Sequence, residues 1–197
     1  MTGSKKKSKQ SSLRIIAGSW RGRRISFVPN ANNLRPTGDR IRETLFNWLG
    51  TRVSDARCLD LYAGTGALGF EALSRGAAEV VFVEQDSATV KQLKENIRLL
   101  GADRGKVRQG DAMRWLPAAE CGWDIVFLDP PFEGTNYPNL CTLLERSDCL
   151  APDALIYIEM PAKSDWPAIP ANWEISREKC AGQVRYALLT RQDRRSN

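Results

Sequence analysis

Short apolar runs and helical stripes alternate along most of this chain. The runs fit strands near 57–62, 79–84, 105–109, 123–128 and 153–159, and the stripes fit helices near 67–75, 87–100, 112–117 and 137–146. Upstream, Ile41, Leu45, Trp48 and Leu49 fall at i, i+4, i+7 and i+8 and predict a helix over Asp39–Leu49. Arg40, Arg42 and Glu43 lie off that stripe, and Pro36-Thr37-Gly38 reads as the entry turn with Thr37 as its cap. Leu13–Ala17 and Arg24–Val28 flank Gly18-Ser-Trp-Arg-Gly22 as a hairpin, and Trp173–Lys179 and Gln183–Thr190 form another around Cys180-Ala-Gly182. Alternation of strand and helix predicts an α/β fold: a doubly wound, Rossmann-like sheet, mostly parallel, with the closing hairpin antiparallel. One domain is expected over 13–197, with the basic hairpin and helix in 13–50, a catalytic core in 51–190, and a disordered basic tail in 1–12.

Composition narrows the chemistry. A chain of 197 residues can bury roughly 70% of its unfolded surface as one domain. Nothing approaches the ~18 consecutive apolar residues of a membrane span, and the N-terminus has charge without an apolar leader, so a cytoplasmic protein is expected. The five cysteines, at 58, 121, 141, 149 and 180, have no metal spacing and read as buried reduced thiols. Histidine is absent, which excludes a His-based triad, a His metal site and imidazole acid–base work. Carboxylates and backbone must handle protons, and no metal is expected.

Charge is uneven. Residues 1–50 hold eleven Lys/Arg against two acids, a net +9, which leaves −3 for the rest. Arg14, Arg21, Arg23 and Arg24 punctuate the first hairpin, and with an exposed Trp20 they suit phosphate contact and stacking on RNA. Arg35, Arg40 and Arg42 are the next candidates for that surface.

The most informative string is Asp129-Pro130-Pro131-Phe132, directly after the strand-like Trp123–Leu128. An exocyclic base amine is a poor nucleophile because its lone pair is delocalised into the ring. Acceptors for both amine hydrogens pull the nitrogen towards tetrahedral geometry. Asp129 can take one hydrogen and a carbonyl of the stiff Pro130-Pro131 corner the other, while Phe132 offers a face for an extruded base. Glu133–Pro138, rich in turn residues, can close over such a site.

A second signal is Cys58-Leu-Asp-Leu-Tyr-Ala-Gly-Thr-Gly-Ala-Leu-Gly69, a strand, a glycine turn and a helix start. Gly64 permits the turn, Gly66 lets a ligand approach the backbone, and Gly69 allows close helix–strand packing. Glu84 ends the next apolar run and can bind two ribose hydroxyls. Asp60 distinguishes the ligand: no Lys or Arg lies between Cys58 and Glu71 to balance it, so a pyrophosphate would meet a bare carboxylate. S-adenosylmethionine, with its ammonium and sulfonium, suits that charge. Asp111 in Gly110-Asp-Ala-Met113 stands where it can meet the adenine amine.

The chain resembles a class I S-adenosylmethionine-dependent methyltransferase, and over its whole length it is similar to the bacterial family that methylates guanine-966 of 16S rRNA at N2. RIIAGSWRGRRI, LRPTGDRIRETLFNWL, CLDLYAGTGALGFEALSRGA, FVEQD, DIVFLDPPF, ALIYIE and NWEISREKCAGQVRYALL carry the likeness in order from Arg14 to Leu189. Gly38 stands where the family usually has Thr or Ser. The resemblance implies a cofactor site at Asp60, Gly64, Gly66, Glu84 and Asp111, with Asp129 to Phe132 at the target base. It implies 16S rRNA, within the small subunit or an assembly intermediate, as partner. Asp-Pro-Pro-Phe serves an adenine N6 amine equally well, which keeps a DNA methyltransferase as an alternative, although no separate target-recognition domain is present. A non-catalytic RNA-binding module is the reading from another class.

Overall fold

The computed structural model describes residues 11–27, 37–132 and 134–192. Its centre is a seven-stranded sheet. In chain order the strands are β3 (Arg57–Asp60), β4 (Glu79–Glu84), β5 (Gly105–Gln109), β6 (Trp123–Leu128), β7 (Leu150–Pro161), β8 (Trp173–Ala181) and β9 (Val184–Arg191). They lie in the order β5-β4-β3-β6-β7-β9-β8. The first five run parallel, while β9 pairs antiparallel with both β7 and β8. This is the mixed, doubly wound sheet that the alternation predicts. The strand order reverses between β3 and β6, the place where an open α/β sheet leaves a crevice at its carboxyl edge.

Period-2 burial separates two cores. Cys58, Phe82, Ile125, Phe127, Tyr157 and Leu188 face one side of the sheet, under α1 (Asp39–Leu49), α2 (Ala67–Ser74) and α3 (Ser87–Leu100). Leu59, Val81, Val126, Leu128, Ile158 and Leu189 face the other, under α4 (Ala112–Trp115), a 3-10 turn at Leu116–Ala118, and α5 (Tyr137–Arg146). β3 closes two residues earlier than expected because Leu61 and Tyr62 already turn towards the glycine loop. The last parallel strand, expected at 153–159, runs on to Pro161 because β9 pairs with it as far as Val184.

The N-terminal hairpin is a separate ribbon of β1 (Ser11–Arg14) and β2 (Arg24–Phe27), paired from Ser11↔Phe27 to Arg14↔Arg24. Ser11 and Ser12, expected in a disordered tail, are thus strand; residues 1–10 lie outside the described residues. The ribbon is fastened to the helices beneath it. Asn96 of α3 donates to the Ser26 carbonyl and accepts from the Ser26 N–H, taking the place of a neighbouring strand. The Ser74 carbonyl accepts from Ser19 N–H at 2.7 Å. Gly18, at φ +81°, lies so close to Ser74 that a Cβ would collide with that carbonyl, so only glycine fits.

Glu71 of α2 is the buried anchor of this join. One of its oxygens takes the Ile16 N–H at 2.9 Å, the other the Ala17 N–H at 3.0 Å, and Arg42 and Arg75 supply the positive charge. Arg42 is therefore not on a solvated face: it is 1% exposed, bonded to Asp39, Glu71 and the Arg14 carbonyl. Helix α1 buries Phe46 as well as Ile41, Leu45 and Leu49, which widens its inward face and carries Arg42, one turn before Phe46, inside with it. Trp48 is only half-buried, against Tyr186. Of the cysteines, Cys58, Cys141 and Cys149 are buried as expected, whereas Cys121 and Cys180 are exposed. No helix among the described residues is long and apolar enough to cross a membrane.

Candidate active site

Asp60, at the end of β3, is buried and its Oδ2 accepts the Gly69 N–H of α2 at 3.1 Å. Burial pushes its carboxyl up to about 7; the Gly69 bond opposes this and the charge of Glu84 adds to it. Glu84, at the end of β4, is held on both oxygens: Oε2 accepts the Gly64 N–H at 3.0 Å and Oε1 the Asp86 N–H at 2.8 Å. These bonds fix the carboxylate plane beside the loop and leave lone pairs for a ligand. Gly64 and Gly66 have φ of +49° and +77°, the conformation the tight turn needs. The space beside Gly66 is not left for a ligand, however, since Phe70 and Leu93 fill it. Gly69 lies against the Phe82 ring, where a Cβ would collide, in keeping with close helix–strand packing. Asp111 is exposed and caps α4 by accepting the Arg114 N–H at 3.0 Å, with its other oxygen free of that bond.

Asp129 leaves β6 beside Asp60, since Asp60 pairs with Phe127 across the sheet. Pro130 is buried, Pro131 exposed, and Phe132 is 42% exposed, a large apolar ring facing solvent at the strand ends. Thr135 Oγ1 donates to the Pro131 carbonyl at 2.6 Å, so among the described residues the Pro130 carbonyl is the corner's uncommitted acceptor. The expected loop over Glu133–Pro138 is shorter than that: Tyr137 and Pro138 already form the first turn of α5, capped by Asn136, and Glu133 lies outside the described residues.

Three residues outside the sequence motifs surround Asp129. Thr37 does not cap α1, whose N-cap is Gly38 without a side-chain bond; its hydroxyl reaches Asp129 Oδ2 at 3.3 Å. Glu159 of β7 stands one strand over, continuing the Leu128↔Ile158 register, and Thr37 bonds it too. Tyr157 donates to Glu159 Oε1 at 2.7 Å, and Tyr137 of α5 donates to the Glu159 carbonyl at 3.0 Å. Burial raises both carboxyls; Glu159 and Asp60 raise Asp129 further, and Thr37 works against the shift. The signal that could have found Glu159 is its position: an acid closing the apolar run 154–158, as Asp60 and Glu84 close theirs.

Among the described residues none of Asp60, Glu84, Asp111 and Asp129 has a Lys or Arg ion-pair partner. An edge so uniformly anionic fits a cationic cofactor with ribose hydroxyls and an adenine amine, and repels a pyrophosphate. On the ribbon, Arg21, Arg23 and Arg24 are exposed; Arg23 donates to the Leu99 carbonyl at 2.8 Å and Arg24 to Ser12 Oγ at 2.9 Å. Arg40 is exposed, and Arg35 lies outside the described residues. Trp20, expected to be exposed, is half-buried against the core because its backbone N–H is drawn down onto Ser74 Oγ.

Comparison with known proteins accords with this geometry. Residues 13–190 match the family described as Conserved hypothetical protein 95. The ribosomal RNA small subunit methyltransferase D of Escherichia coli K12 is 48% identical over 91% of this chain and 90% of its own length. Its Haemophilus influenzae counterpart is 44% identical over 89% and 92%. The solved yhhF chain of Escherichia coli superposes with a TM-score of 0.87 at 46% identity, covering 93% of this chain and all of that one.

Proposed function

The chain belongs to the Conserved hypothetical protein 95 family and to the ribosomal RNA small subunit methyltransferase D family, and from that premise we propose that it methylates the exocyclic N2 amine of a guanine in 16S rRNA. The observation that carries the chemistry is the pairing of Asp129-Pro130-Pro131-Phe132 at the end of β6 with the unbalanced Asp60 at the end of β3. S-adenosylmethionine supplies the methyl group, as an electrophile on a positive sulfur.

Everything else is done by this chain. Glu84 holds the ribose hydroxyls, Asp60 attracts the ammonium, and Asp111 meets the adenine amine, while the Gly64–Gly66 turn shapes the pocket floor. The Asp129 carboxylate and the Pro130 carbonyl each accept a hydrogen of the base amine, with Pro131 stiffening the corner, which turns the nitrogen lone pair towards the methyl group. Phe132 stacks on the extruded base. Asp129 then receives the proton that the methylated amine sheds. Arg21, Arg23, Arg24 and Arg40 contact phosphates around the target. Arg42 is withdrawn from that set, because its guanidinium is consumed by Asp39 and Glu71. A small body with one basic ribbon suits a preformed ribonucleoprotein surface in the cytoplasm, so the small subunit or its assembly intermediate is the proposed substrate.

The test is transfer of labelled methyl from S-adenosylmethionine to 16S rRNA, naked and in 30S particles, with the modified nucleotide mapped. One guanine carrying N2-methyl is expected. Label on an adenine N6, or on DNA, would replace this reading with the alternative amine substrate.

A further inference from the structure

Thr37 has one hydroxyl hydrogen, yet it bonds two carboxyl groups, Asp129 at 3.3 Å and Glu159. A carboxylate only accepts. Both bonds can exist together only if one of the two acids carries a proton and donates it to Thr37 Oγ. The surroundings say which. Glu159 is 3% exposed and lies deeper, while Asp129 is half-buried and faces the cleft. The groups turned towards the pair are Asp60 from β3, Tyr62 from the loop after it, Tyr137 from α5 and Tyr157 from β7, and no cation among the described residues pairs with either acid. A second negative charge here has nothing to balance it.

Resting on the methyltransferase reading above, we infer that Glu159 is a positioning residue for methyl transfer: it holds the pair's single proton and donates it to Thr37, so that the Thr37 hydrogen is committed to Asp129 Oδ2. Asp129 is thereby kept as the anion, its plane is fixed, and Oδ1 is left for the substrate amine. Tyr157, bonded to Glu159 Oε1, sets the rotamer from which Glu159 reaches Thr37. The working state is a monoanion. Protonating Asp129 removes the amine acceptor, and stripping the proton from Glu159 leaves one hydroxyl to serve two repelling carboxylates.

The test is the pH dependence of kcat for the full chain on 16S RNA, with S-adenosylmethionine affinity measured alongside. Wild type is expected to show an acid limb and a basic limb. Glu159→Gln, whose amide donates like the protonated acid but cannot ionise, is expected to lose the basic limb while keeping the acid one. Glu159→Ala and Thr37→Val break the relay and are expected to lower kcat about 10-fold, with cofactor affinity within about 3-fold; Glu159→Gln is expected to recover most of that loss. A Gln variant as impaired as the Ala variant, or one with both limbs of the wild type, overturns the assignment. If wild type is active and Asp129→Ala is not, that failure belongs to Glu159 alone. A wild type that transfers no methyl to RNA removes the underlying reading as well.

Discussion

The two halves of the carboxyl edge hold their acids in different ways. On the β3–β4 side, Asp60 and Glu84 are fixed by backbone N–H groups of Gly69, Gly64 and Asp86, all close together in the chain. On the β6–β7 side, Asp129 and Glu159 are fixed by side-chain hydroxyls of Thr37, Tyr157 and Tyr137, and Thr37 comes from 92 residues before Asp129. Backbone donors cannot rotate away or be substituted, so the first half is a rigid receptor for charge. Hydroxyls can donate or accept, so the second half can follow a proton. Binding belongs to the first arrangement, and a step in which an N–H bond is broken belongs to the second.

The sharpest break between the halves is expected from Asp129→Ala. It should lower the methylation rate by ~100-fold or more while S-adenosylmethionine affinity stays within a few-fold, because the carboxylate acts in the transfer step. Single-turnover rates beside calorimetry measure both. Near-normal turnover would mean that the amine is oriented by something else, and the contrast between the halves would lose its chemical meaning.

Glu84→Ala is the mirror experiment. It should weaken S-adenosylmethionine binding by ~1.5–3 kcal/mol, the scale of hydrogen bonds to a charged group. The rate at saturating cofactor should change far less than for Asp129→Ala. NAD, with its pyrophosphate, should bind neither protein. Tight NAD binding would show that the anionic edge does not select by charge.

A smaller effect should come from pH. The Asp60 carboxyl titrates near 7 instead of near 3.8, and the cause is burial. Because the folded-state value is raised, ionisation opposes folding, and the cofactor-free protein should lose stability as pH rises from about 4 through about 7. A bound ammonium favours the ionised form, so cofactor affinity should be level above about 7 and fall by up to ~10-fold per unit below it. Asp60→Asn should flatten that dependence and bind weakly throughout. A wild-type affinity that ignores pH between about 5.5 and 8.5 would leave Asp60 as a helix cap for Gly69 and nothing more.

What the sequence shows follows the same division. Asp60, the glycine turn and Glu84 sit in one strand–turn–helix–strand stretch whose spacing is set by local geometry, so their grouping can be read along the chain. The sheet was legible for a similar reason, since each strand shows its own apolar run. Thr37, Glu159 and Tyr157 meet only because β6 and β7 are neighbours and the segment before α1 crosses over them, which no local pattern encodes. Arg42 was misplaced because a charged side chain defaults to solvent unless its counterion is known. That counterion, Glu71, was visible as the one acid in the otherwise apolar ALGFEALS, and a lone carboxylate there calls for a buried cation.

The ribbon tests whether the division extends beyond the edge. It is fastened to α2 and α3, which belong to the cofactor half, yet the chain runs on from it to Thr37 in the reacting half. Arg23 and Arg24 each spend an N–H on the protein, but a guanidinium has five, so both still present donors outward with Arg21. Replacing Arg21, Arg23 and Arg24 by Ala should therefore flatten the slope of log K against log salt for RNA binding by ~0.7–0.9 for each phosphate left without its arginine. S-adenosylmethionine affinity should stay within about 2-fold, since the arginines lie outside the loop that binds it. Arg40→Ala should act the same way on a smaller scale. Arg42→Ala should instead lower the unfolding midpoint and leave the salt slope of the folded fraction alone, because its removal strands Glu71 and not a phosphate. Salt titrations of RNA binding, with thermal melts of each variant, separate these outcomes. Parallel slopes for wild type and the triple variant would mark the ribbon as a solvated brace for α2 and α3, and the RNA path would then have to run along Arg40 and the exposed face of Phe132.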